Sequence, residues 1–82
     1  MKPDRLPAHL HDMRGFVREL RELVSQTDLP SFVRNRVLCL AVEKLFINLG
    51  EAAFRVGDEG PRRWPTVPWR QVIGLRNILA HG

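Results

Sequence analysis

Near the end of the chain, the run Gly74-Leu75-Arg76-Asn77-Ile78-Leu79-Ala80-His81-Gly82 sets three polar groups of different chemistry on an apolar stripe of Leu75, Ile78 and Leu79. An imidazole titrates near neutrality and can take or give a proton, and a guanidinium offers a planar fork of donors to an oxyanion. Metal-free cleavage of RNA requires both. A base must take the 2′-OH proton, an acid must protonate the leaving 5′-oxygen, and a cation must answer the charge on phosphorus. Asn77 and His81 are four apart and share a helix face, whereas Arg76 and His81 are separated by roughly 140° around the axis. For the two to act together, either the helix ends near His81 and turns the imidazole inward, or a second copy completes the site. One histidine does not serve both ends of an in-line displacement, and a twofold dimer joining the third helices would supply two. The other reading of the same residues is structural: a helix-end histidine capping carbonyls and an arginine in a surface pair.

No other constellation competes. His9 and His11 are two apart and face different ways, and no H-E-x-x-H, cysteine pair or carboxylate cluster suggests a metal. Gly57 and Gly60 precede no phosphate-loop lysine, so no nucleotide cofactor is expected. Cys39 is the one cysteine; it lies in an apolar run and reads as a buried spectator thiol, and no internal disulfide can form. Trp69 reads as core and Trp64 as a half-buried lid. Basic residues outnumber acidic ones 13 to 9, for a net charge of +4, and all but Lys2 and Lys44 of the basic residues are arginine. That balance favours an anionic partner, nucleic acid before membrane, over which a solvated arginine-rich surface is the plain alternative.

The elements that must carry these residues are helical. With 44% hydrophobic and 27% charged residues over 82 positions, the chain is one small globular domain, 1–82, that buries a modest core. A first helix is expected from Arg5 to Ser25 with Asp4 as N-cap, on a stripe of Leu6, Leu10, Met13, Val17, Leu20 and Val24 backed by Phe16 and Leu23. Its other face pairs Arg18 with Glu22. A second helix, capped by Ser31, is expected from Phe32 to Val56 with a stripe of Leu38, Ala41, Leu45, Leu49, Ala52 and Val56 and with Gly57 just beyond its end. Gly50, beside Ala52 and Ala53, marks a low-relief patch where another helix can approach closely. The segment Gly57–Val67 reads as loop, and a third helix is expected from Pro68 to His81 with Trp69, Val72, Ile73 and Leu75 inward. Nothing alternates with period two. The fold class is all-α, an antiparallel helical bundle. Three helices leave apolar faces that a fourth helix or a dimer partner would cover. No stretch approaches a membrane span or a signal peptide, so the protein is expected in the cytoplasm.

Arg76-Asn77-Ile78-Leu79-Ala80-His81 resembles the Arg-x4–6-His motif of the HEPN superfamily. More narrowly, the chain resembles HepT-like toxins, the partners of minimal nucleotidyltransferase (MntA-like) antitoxins. Besides that motif, the resemblance is carried by the amphipathic first helix, by Leu49-Gly50-Glu51-Ala52-Ala53, and by Val67-Pro68-Trp69-Arg70 leading into Gly74-Leu75-Arg76-Asn77. It implies a dimerising helical bundle that cleaves RNA without metal or cofactor at a cleft lined by both copies. Arg76 would stabilise the scissile phosphate, His81 would act as acid and base, and Asn77 would support them. The family commonly continues His-x-Tyr, with a tyrosine that the antitoxin adenylylates, and adds a fourth helix. This chain holds no tyrosine and ends at Gly82, so a C-terminally truncated member is expected. The expectation from another class is a non-catalytic helical module that docks a nucleotidyltransferase-like partner. A small basic DNA-binding domain is a third; against it, the arginines are spread over all three helices.

Overall fold

A computed structural model describes residues 4–81. Five helices follow in order: α1 (Leu6–Ser25), α2 (Leu29–Arg34), α3 (Arg36–Val56), α4 (Glu59–Arg63) and α5 (Trp69–His81). The described residues contain no strand, and the class is all-α. Three long helices make the bundle, and the two short ones are features the periodicity does not announce.

Local chemistry accounts for each boundary. Arg5, not Asp4, is the N-cap residue of α1 and makes no side-chain capping bond; Asp4 Oδ1, one residue earlier, accepts from the Leu6 amide at 3.0 Å, and Pro7 fits the first turn where no N–H is needed. The expected single helix from Phe32 to Val56 is in fact two. Asp28, not Ser31, opens the first of them: its carboxylate accepts from the Ser31 amide at 2.8 Å, and Pro30 occupies the first turn. Asn35 then leaves the helical region (φ −99°, ψ 93°) and accepts from the Leu38 amide at 3.0 Å, closing α2 and capping α3 with one residue. The thiol of half-buried Cys39 donates to the Phe32 carbonyl at 3.2 Å, tying α2 to α3 across that break.

At its other end α3 stops at Gly57, the one described residue with positive φ (69°). The expected loop after it contains α4, held by ion pairs from Glu59 to Arg62 and Arg63. Gly60 of α4 is buried under Trp69, and a Cβ there would lie 2.9 Å from three atoms of the indole. The Trp69 Nε1–H donates to the Trp64 carbonyl at 2.9 Å, so Trp64 and the Pro-rich segment after it are pinned to the start of α5. Pro68 precedes that helix and lends its carbonyl to the Val72 amide at 3.0 Å.

α1 and α5 both pack on α3, each antiparallel to it. Leu20 and Leu23 of α1 meet Leu38 and Val42 near the start of α3. Leu6 and Leu10 gather with Ala53, Val56 and Trp69 near its end. The inward seam of α1 therefore turns along its length, because its neighbours change from α3 and α5 to α3 and α2. Phe16 and Leu23 are drawn in, whereas Val17 and Val24, expected on the stripe, are 41% and 48% exposed. On α3 the bulkier Val42 is buried and Ala41 is exposed, reversing the expected order. Arg18 and Glu22 form no ion pair among the described residues. Gly82 lies outside the described residues.

The core is thin. Among the described residues its buried apolar side chains are Leu20, Val42, Leu49, Ala52, Ala53, Val56 and Trp69. The radius of gyration is 14.1 Å, against about 12 Å for a compact chain of this length.

Two caps give a test. Asn35→Ala removes the acceptor that starts α3 and is expected to cost about 1 kcal/mol in urea unfolding; no loss would mean that the break at Asn35 does not depend on its side chain. The Ser31 amide and, second, its hydroxyl hold the Asp28 carboxyl below its ordinary 3.8. A depressed folded-state value contributes stability above the unfolded value and loses it as pH falls through the folded one. Wild type should therefore lose stability relative to Asp28→Asn as pH is lowered below about 4, and parallel stability curves would contradict the cap.

Candidate active site

Arg76 owes its position to an absence of side chain on the facing helix. A Cβ at Gly50 would sit 2.2 Å from Arg76 Cβ, 2.9 Å from Arg76 Cγ and 3.0 Å from the Val72 carbonyl oxygen. Neither the Arg76 Cβ nor the Val72 carbonyl can rotate away, since each is fixed by the α5 backbone. The low-relief patch expected at Gly50 is thus the crossing point of α3 and α5, and the stem of Arg76 lies in its notch.

From that notch the guanidinium emerges beside Phe54, one helical turn beyond Gly50. Its Cζ lies 5.3 Å from the Phe54 ring centroid, a cation–π contact. Nη1 donates to Asn77 Oδ1 at 2.8 Å. The Nε–H is buried without a hydrogen-bond partner, and no carboxylate pairs with this arginine among the described residues. An arginine placed for stability would be expected to find such a partner. Arg76 therefore offers positive charge at the edge of the bundle that no acidic side chain neutralises. That arrangement suits an anion from outside.

The expected companions are placed differently. Asn77 is exposed and bonded to Arg76, with its amide N–H groups unused among the described residues. His81 is exposed in the last described turn of α5, and its side chain makes no hydrogen bond among the described residues. One chain brings Arg76 and Asn77 together and does not bring His81 onto Arg76. Among the described residues α5 ends at His81, and the side chain there is exposed.

Next to Phe54, a groove of about 510 Å³ runs between the end of α3 and α5, past Gly57, Asp58, Arg70, Ile73, Gly74 and Asn77; Arg76 is not part of its lining. Phe54 is the residue that sequence reasoning passed over. The available signal was the outward row Leu40, Ile47 and Phe54, seven apart on α3, opposite the stripe that packs on α1. Trp64, in contrast, is half-buried with the Arg63 guanidinium over its ring at 4.7 Å, in line with a lid.

The profile of the family Ribonuclease HepT-like matches residues 13–82. The chain belongs to this HepT-like family of the HEPN superfamily. It is 31% identical over 74 residues to the protein named "Putative RNase MJ1380" of Methanocaldococcus jannaschii, covering 90% of this chain and 68% of that one. "Putative RNase MJ0125" and "Putative RNase MJ1216" of the same organism are 22% and 21% identical, over 93% of this chain and 66% and 63% of theirs. The chain thus spans about two thirds of the length of these relatives. No solved structure gives a significant match.

The notch makes a sharp prediction. Gly50→Ala gains about 1 kcal/mol of helix propensity yet overpacks the crossing, which typically costs 1–3 kcal/mol or more, so a net loss in urea unfolding is expected. Gly74→Ala, whose added Cβ meets nothing within 4 Å, gains the propensity alone and should hold or raise stability. Equal stabilisation by both would mean that α5 does not approach α3 as described.

Proposed function

We propose that this chain is a metal-independent endoribonuclease that acts as a homodimer, with Arg76 and His81 of both copies lining one cleft. The observation that carries the reading is an Arg76 guanidinium fixed at the α3–α5 crossing with no acidic partner, in a chain of the HepT-like family whose relatives are named as RNases. His81 is exposed and Arg76 bonds to Asn77; in this reading a second copy supplies the second imidazole.

In the reaction, one His81 takes the proton of a ribose 2′-OH. The bond from that oxygen to the adjacent phosphorus forms as the bond to the 5′-oxygen breaks. The other His81, in its protonated form, gives its proton to the leaving 5′-oxygen. Arg76 answers the charge on the phosphoryl oxygens, and Asn77, through its bond to Nη1, fixes the direction of the guanidinium. The products are a 2′,3′-cyclic phosphate and a 5′-hydroxyl.

In this reading the protein is the toxin of a cytoplasmic toxin–antitoxin pair, and an MntA-like nucleotidyltransferase is its antitoxin. A second reading, a non-catalytic module docking that same partner, draws on the apolar surface at Leu29, Val33 and Val37, which are 73%, 63% and 78% exposed.

Cleavage of single-stranded RNA in EDTA, leaving cyclic phosphate ends and abolished in a folded His81→Ala, is the expected result. Loss of a general acid–base group costs typically 10²–10⁴-fold. Undiminished cleavage by His81→Ala removes the assigned role. A folded wild-type dimer that leaves RNA intact yet binds the nucleotidyltransferase favours the second reading.

A further inference from the structure

Along the outside of α3 runs an apolar row that the described residues leave largely open. Leu40, Ile47 and Phe54 follow one another seven residues apart, opposite the stripe that packs on α1. Leu40 is 49% and Phe54 61% exposed, with Ile47 half-buried between them. A seven-residue apolar repeat on a 3.6-residue helix is the seam along which two helices pair. Lys44 and Glu51 stand beside this row on one flank, roughly 60° and 40° around the helix from Ile47. Neither forms an ion pair among the described residues. They are about 10 Å apart along the axis, too far to meet within one chain.

The row is complementary to itself. In two copies of α3 paired antiparallel about a twofold axis at Ile47, the isoleucines meet each other. Leu40 of each copy meets Phe54 of the other, because both lie seven residues from the centre. Lys44 comes within one residue of the level of Glu51 across the contact. The axis is perpendicular to the plane of the two helices and keeps each flank on its own side, so this pair forms twice. Moving the centre to lie between Leu45 and Phe46 would set Leu40 on Glu51 and Lys44 on Ile47. An unrelated apolar partner makes no use of that symmetry.

The same operation completes the site. α5 packs on the other flank of the row, at Gly50, roughly 60° around α3 from Ile47. Both copies of α5 therefore come to lie on one side of the paired α3 helices. Asn77 lines the groove beside Phe54, and His81, four residues on, shares its face of α5. Arg76 is level with Gly50. His81, five residues further, lies about 7.5 Å nearer the start of α3, level with Leu45. The twofold axis carries Arg76 of the second copy to the level of Lys44, within about 2 Å of His81 along the helices. We propose that the outward row of α3 is the surface on which two copies of this chain pair, antiparallel about Ile47, bringing Arg76 of each copy level with His81 of the other in one cleft. The assignment rests on the ribonuclease reading, which requires a second copy and does not say where it docks.

The test is an exchange of charges across the twofold axis. Dimerisation is measured by analytical ultracentrifugation for the full chain, for Lys44→Glu, for Glu51→Lys and for the two combined. Each single substitution sets like charges together twice and is expected to weaken dimerisation about tenfold. The combination swaps the two charges and should restore it to within about twofold. Because the two side chains do not meet within one chain, that rescue reports a contact between copies. Ile47→Asp, at the centre of the contact, should leave a helical monomer by circular dichroism. A combined variant as weak as two independent losses overturns the proposal. So does a dimer indifferent to all three positions, as one formed through Leu29, Val33 and Val37 would be, and so does a wild type that stays monomeric. RNA cleavage by the same proteins in EDTA separates this interface from the ribonuclease reading. Cleavage that falls in each single variant and returns in the combination supports both. A rescued dimer that leaves RNA intact keeps the interface and removes the nuclease. Cleavage that none of the substitutions changes keeps the nuclease and removes the interface.

Discussion

Two helices meet at a point where one of them has no side chain, and most of what is distinctive about this molecule follows from that contact. Gly50 lets the α5 backbone come close enough for the stem of Arg76 to lie against the α3 backbone. The stem is short of freedom there. Its guanidinium is delivered beside Phe54 and Asn77 with little of the rotamer entropy that a surface arginine would lose on gripping an anion. A residue with a Cβ at position 50 would favour the helix and spoil the approach. Glycine in a helix interior is a local sacrifice, and the compensation lies in the placement of a charge.

The rest of the bundle holds that crossing in place with few resources. Trp69 locks the start of α5 through its indole N–H bond to Trp64 and its ring over Gly60. Ala53 and Val56 pack on it from α3, and Leu6 and Leu10 from α1. The fixed end of α5 is therefore at Trp69, and order is handed along the helix to Gly50 and Arg76. Beyond them Ile78 is 66% exposed and His81 reaches open solvent. A thin core with apolar side chains left outside, Phe54 and Ile78 on one side and Val33 and Val37 on the other, is what a surface meant to meet other molecules looks like.

Much of this was legible in the chain, and the parts that were not share a cause. Arg76, Asn77 and His81 stand out by chemistry and spacing, Gly50 by being out of place in a strong helix, and the three long helices by period. Side chains that compete for the backbone were harder to weigh: Asn35 can ride in a helix or cap one, and only the packing of Phe32 and Leu38 around the break decides for the cap. A fixed stripe on α1 picks Val17 and Val24, but the seam turns as the neighbours change, and sequence periodicity knows nothing of neighbours. Phe54, although it stands in an outward row with Leu40 and Ile47, was hard to single out for a related reason. An outward aromatic looks like surface until Arg76 is known to lie against its ring.

The central claim is that each reaction centre needs the imidazoles of two chains. Mixing wild-type and His81→Ala protein in known ratios, with subunit exchange complete, and measuring the initial rate of RNA cleavage tests it directly. If one cleft requires both histidines, mixed dimers are silent and the rate follows the square of the wild-type fraction. A rate that falls in simple proportion to the wild-type fraction would mean that each chain works alone, and would contradict the shared site.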